Sequence, residues 1–69
     1  MALQLWNHKT SGESYAVEFD NGTVTEANGP LLHSEIPSVM RQGFVPNPDP
    51  ETTEWINENQ EEFILVQVR

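Results

Sequence analysis

Asn21-Gly22 restricts the possible folds more than any other pair of residues in the chain. Both tolerate the positive φ angles that a tight hairpin turn requires and that most side chains resist. The flanking residues agree with a turn. In Ser14–Asp20, Tyr15, Val17 and Phe19 alternate with Ser14, Ala16, Glu18 and Asp20, which is the period of a half-buried strand. Thr23–Ala27 returns as the next strand, and two registers compete for it. A two-residue turn sets Val24 opposite Phe19 but brings Glu26 against Val17. A three-residue loop over Asp20-Asn21-Gly22 sets Thr25 and Ala27 beneath the aromatic face instead. The second is the expectation, because it keeps a carboxylate out of the core.

Residues 2–8 read as a preceding strand, with Leu3 and Leu5 on one face and Trp6 on the other. The polar stretch Lys9–Glu13, containing Gly12, is the loop between them. Asn28-Gly29-Pro30 closes this meander. A short helix is expected from Pro37 to Gln42, with Gly43 as its left-handed cap and Phe44 packing back on it. Proline at every second position from Pro46 to Pro50 predicts a stiff, extended segment. Asp49 then suits an N-cap and Pro50 a first helical turn, opening a helix that runs to about Gln60.

The last apolar run, Phe63–Val66 and on to Val68, is unbroken, as in a strand covered on both faces and therefore interior. The predicted fold over residues 1–69 is a single small acidic α+β domain. It comprises an antiparallel three-stranded N-terminal meander, a short helix, an acidic helix and a C-terminal strand completing a small four-stranded sheet. The helical segments are expected together on one face.

Composition bears on function by exclusion. The chain has no cysteine, so neither disulfides nor thiolate metal sites support its 69 residues. A core this small leaves a thin stability margin, which keeps a homodimer in view. Eleven acidic residues against Lys9, Arg41 and Arg69 give a formal charge of −8. That balance argues against direct binding of nucleic acid, which needs cations to neutralise phosphates, and against anionic membranes. Met1–Lys9 has neither the basic nor the apolar region of a signal peptide, and no stretch has the length to span a bilayer, so a cytoplasmic setting is expected.

No catalytic motif, cofactor motif or metal-ligand spacing emerges. His8 and His33 lie far apart, the serines lack a Gly-x-Ser-x-Gly elbow, and the four glycines are isolated. Asn47, Asp49, Glu51 and Glu58 match part of a calcium-loop template. However, Thr52 replaces its turn glycine and Pro48 and Pro50 stiffen it, so capping explains Asp49 and Glu51 better. An enzyme is not expected.

The acidic helix is the most informative feature. At about 100° per residue, Glu51, Glu54, Glu58, Glu61 and Glu62 share a stripe, Thr52, Ile56, Asn59 and Phe63 face the sheet, and Trp55 lies between. Carboxylates in a first helical turn complement the helix dipole, whereas those in a last turn oppose it. Glu51, Glu54, Trp55, Glu58, Glu61 and Glu62 are therefore the candidate partner-binding residues, directed at a basic protein surface. Two other roles compete: a homo-oligomer through sheet edges, and a nucleic-acid mimic. The mimic requires Glu18, Asp20 and Glu26 to join the helical acids on one continuous face.

Overall fold

Each strand marked by the sequence is present in the computed structural model, which describes residues 2–69. Strands β1 (Ala2–His8), β2 (Ser14–Asp20), β3 (Thr23–Leu31) and β4 (Phe63–Val68) form one antiparallel sheet in the order β3-β2-β1-β4. Helix α1 (Ile36–Gln42) follows a 3-10 turn over His33–Glu35, and helix α2 (Pro50–Glu58) precedes another over Gln60–Glu62. This is the expected α+β arrangement, with the C-terminal strand completing the sheet.

β1 and β2 pair without interruption from Ala2↔Phe19 to Asn7↔Ser14. Their loop closes through the His8 amide donating to the Glu13 carbonyl at 2.8 Å. Asn21 at φ 52° and Gly22 at φ 83° make the second turn, with Asp20 opposite Thr23. The turn has two residues, not the three expected, and Phe19 meets Val24. One residue later the register shifts, because Glu18 pairs with Glu26 and Val17 with Ala27, leaving Thr25 as a bulge. The bulge resolves the conflict between the two registers. Val24 and Ala27 both reach the apolar face, and Glu26 stays off it.

β3 also runs further than expected, through Asn28-Gly29-Pro30 to Leu31, after a second register shift. Gly29 sits at φ 154°, and a Cβ there would lie 2.5 Å from Cδ2 of Tyr15. The Tyr15 ring thus packs directly on bare backbone, which only glycine supplies.

The helices cover opposite faces of the sheet, contrary to the expectation of one. Leu3, Leu5 and Ala16 pack with Val39, Met40 and Val45 on the α1 side. Trp6, Tyr15, Val17, Val24, Ala27 and Phe63 pack with Ile56 on the α2 side. The reason lies in β1, whose Leu3 and Leu5 alternate with Trp6 and so present large apolar groups to both sides. Ile56 and Val17 are fully enclosed, each contributing about 1.5–3 kcal/mol of burial.

Gly43 is the left-handed cap of α1, at φ 84°, as expected. Val45, not Phe44, returns to the core there, and Phe44 remains 56% exposed. The proline segment is not uniformly extended, because Asn47 takes a positive φ of 46° and bends it. The bend lets the Asp49 amide reach the Ala27 carbonyl at 2.9 Å, tying the start of α2 to β3. Asp49 caps α2 as expected, its Oδ2 accepting the Thr52 amide at 2.9 Å and the Thr52 hydroxyl at 2.7 Å.

β4 is an edge strand, not an interior one. Ile64, Leu65, Val66 and Val68 are 52%, 53%, 52% and 51% exposed, and only Phe63 is buried. Its register with β1 shifts between Leu5 and Trp6, leaving Val66 unpaired. An unbroken apolar run implies that both faces are to be covered, and this chain covers neither along most of β4.

Candidate functional site on the outer face of α2

α2 is oriented by what its inner side grips. Thr53 and Asn57, one helical turn apart, reach over the β3 edge: Thr53 Oγ1 accepts the Ala27 amide and Asn57 Oδ1 accepts the Val24 amide, both at 2.9 Å. Gln60 extends the contact, donating to the Gly22 carbonyl and to Asn57 Oδ1, each at 3.1 Å. With Ile56 these residues make the sheet-facing side; of the expected Thr52, Ile56, Asn59 and Phe63, Ile56 and Phe63 do lie in the buried cluster, Phe63 from β4. Thr52 is taken by the Asp49 cap. Asn59 Nδ2 donates to the Trp55 carbonyl at 2.8 Å at the other end of the helix.

The opposite side of α2 carries Glu51, Glu54, Trp55 and Glu58, all exposed and spaced as one helical face. The helix ends at Glu58. Glu61 and Glu62, also exposed, belong to the following 3-10 turn, so the six candidate residues divide into a helical ridge and a separate pair. The expected dipole conflict is correspondingly smaller, since only Glu58 lies in the last helical turn. Asp49 carries the one clear electrostatic perturbation in α2. The two hydrogen bonds from Thr52 stabilise its carboxylate and hold its pKa below the ordinary carboxylate value.

Trp55 is 37% exposed, and the rest of its indole meets a ring of aromatic side chains. Its centroid lies 5.2 Å from Phe63, 5.4 Å from His8 and 5.6 Å from Tyr15. The tilted and edge-on contacts are those that aromatic quadrupoles favour. Tyr15 is buried beneath Trp55. Its burial, then the Glu13 carboxylate that it meets, push its phenol pKa up.

His8 links this ring to the acidic turn, a connection the sequence reading missed. Its Nε2 lies 3.1 Å from Glu62 Oε1, and its Nδ1 lies 3.2 Å from Ser11 Oγ and 3.1 Å from Thr10 Oγ1. The hydroxyl–imidazole–carboxylate order resembles a proton relay. Here the Ser11 oxygen also accepts the Glu13 amide at 3.2 Å, and two hydroxyls share one ring nitrogen, which fastens the loop after β1 to the start of β4. Residues 54 positions apart give no local signal of such a cluster, so only the β1–β4 pairing could have exposed it.

The hairpin acids lie elsewhere. Glu18 and Glu26 face each other across β2 and β3 on the Leu3 side of the sheet, and Glu26, on the edge strand, also lines a groove with Glu54 of α2. Glu18 therefore lies on the other face from the α2 ridge, with Glu26 at the edge between them. The calcium-template residues do not form a loop, because Glu51 and Glu58 lie on α2 and Asp49 is engaged in its cap. Among the described residues, no three acidic or histidine side chains are grouped to share a metal ion, and no helix is long and apolar enough to cross a membrane. Comparison with protein families, curated proteins and solved structures finds no match.

Proposed function

We propose that this chain is a non-catalytic protein-binding module, an accessory or regulatory subunit that docks on a basic surface through the outer face of α2, in a cytoplasmic setting. The observation that carries this reading is an exposed row of carboxylates, Glu51, Glu54 and Glu58, around an indole that is 37% exposed. The charges attract and orient a cationic partner, raising the encounter rate, while the indole supplies contact area at the centre. Trp55 is held by His8, Tyr15 and Phe63, so little ordering remains to be done on binding. Glu61 and Glu62 extend the acidic rim toward β4. The same charge balance, 11 acids against three cations, disfavours direct contact with nucleic acid or an anionic membrane.

The test is affinity capture from a cell lysate with elution by a salt gradient. Basic partners should leave early, as counter-ions screen the contact. Reversing charge in the double variant Glu54→Lys with Glu58→Lys should weaken capture and flatten its salt dependence. Capture unchanged by that variant would remove α2 as the contact surface.

A further inference from the structure

We propose that β4 is the pairing edge of a symmetric homodimer, in which two copies join antiparallel and extend the sheet from four strands to eight. This goes beyond the docking role of α2 and uses a different surface.

The backbone supplies the first argument. The Glu62 carbonyl accepts the Lys9 amide at 2.8 Å, so it points at β1. By the alternation of an antiparallel ladder, the Phe63 carbonyl and the Leu65 amide and carbonyl point away from β1, while the Phe63 amide is taken by the Gln60 carbonyl of the preceding turn. Among the described residues, no side chain or loop hydrogen-bonds to those three outward groups, whereas Val24 and Ala27 on the opposite edge are capped by Asn57, Thr53 and the Asp49 amide. Monomeric proteins commonly blunt such an edge with charged side chains. Phe63–Val68 has no charged residue and leaves four large apolar side chains about half exposed.

Charge selects the occupant. Two copies, each at −8, repel at most approaches, but not where the facing strand lacks acids. A basic partner gains nothing from that strand and is drawn to α2 instead. Antiparallel pairing also brings the C-terminal end of each strand past the Glu61-Glu62 turn of the other, where Arg69, its guanidinium donating to the Arg41 carbonyl at 3.2 Å, adds a positive charge to a contact otherwise made by apolar side chains. Beside the strand, a shallow cleft between Trp6, Phe19, Phe63 and Leu65 can take an apolar side chain from the second copy. The bulge at Val66 limits the ladder and centres it on Phe63–Leu65.

The test uses the unmodified chain first. Amide hydrogen exchange at Leu65 should slow as protein concentration rises through the micromolar range, and sedimentation should show a monomer–dimer equilibrium. Added salt should preserve or strengthen that dimer, because it screens like charge; it weakens capture of a basic partner. Ile64→Lys and Leu65→Lys, each on exposed positions, should weaken association by about a hundredfold, since a two-fold contact buries the new charge twice. Concentration-independent exchange at Leu65 overturns the proposal, as does a wild-type monomer throughout that range. A dimer that both lysine variants leave intact also overturns it, by placing the contact elsewhere.

Discussion

The two edges of the sheet are built on opposite plans. At β3 the outward amides of Val24 and Ala27 are capped by side chains from α2, the Ala27 carbonyl by the Asp49 amide, and Thr25 bulges out of the ladder. At β4 the Phe63 amide is tied into the preceding turn, but the outward Leu65 backbone carries no such cap and lies beside the exposed Ile64, Leu65, Val66 and Val68. The difference shows that closing an edge does not require another strand. A helix laid along it suffices, provided its inner side carries short polar groups at the right turn spacing. The chain places such groups, Thr53 and Asn57, on one side only.

The largest effect should come from detaching the helix that closes β3. Ile56→Ala empties a fully buried site between α2 and the sheet, and should cost about 2–5 kcal/mol. In a domain of this size that change unfolds a large fraction of molecules, as denaturant titration followed by circular dichroism will register. If stability is retained, α2 is not the clamp on that edge. Next come the caps themselves. Thr53→Val and Asn57→Ala each strand a backbone amide, and should cost about 1–3 kcal/mol. Hydrogen exchange should accelerate most at Ala27 in the first variant and at Val24 in the second; equal acceleration everywhere would mean that the caps act only through global stability.

A smaller, pH-dependent effect is expected at the start of α2. A carboxyl with a lowered folded-state pKa contributes stability that is present above its unfolded value and is lost as pH falls through the folded one. Asp49 is such a group, so acidification below the ordinary carboxylate range should loosen α2. Asp49→Asn keeps a capping oxygen without the titration, and should flatten that acid limb of a thermal-melt series. The smallest effect belongs to the open edge. Leu65→Thr should change monomer stability by no more than about 0.5 kcal/mol, because that side chain stays largely in solvent. A loss several times larger would show that the monomer depends on β4 as heavily as on β3.

Much of the fold was legible in the sequence. Local chemistry gave the place of the Asn21-Gly22 turn, though not its two-residue length, and the span of β2, the Asp49 cap and the Gly43 cap, because each depends on a few neighbouring residues. The failures share a cause in long-range placement. Phe63–Val68 has the apolar pattern of a buried strand, and pattern alone does not distinguish a covered strand from one awaiting cover. Leu3 and Leu5 against Trp6 already imply two apolar faces, which is at odds with placing both helices on one side. On α2, Ile56 stands out as apolar, but Thr53 and Asn57 look like solvent-facing polar residues until β3 is placed beside them. The candidate residues Glu51, Glu54, Trp55 and Glu58 share a face by helical arithmetic. Glu61 and Glu62 do not continue it, because Asn59 ends the helix by bonding back to Trp55.

The unpaired Thr25 makes the length of one segment a matter of parity. Between the Asn21-Gly22 turn and the glycine under Tyr15, removing a single residue would close the bulge and leave Glu26 opposite Glu18 and Ala27 opposite Val17, whereas adding one without a further bulge would send Glu26 inward and Ala27 outward. The five-residue connection at Lys9–Glu13 carries no such constraint. Insertions among natural or engineered versions of this chain should therefore gather in the first loop and be nearly absent from the third strand.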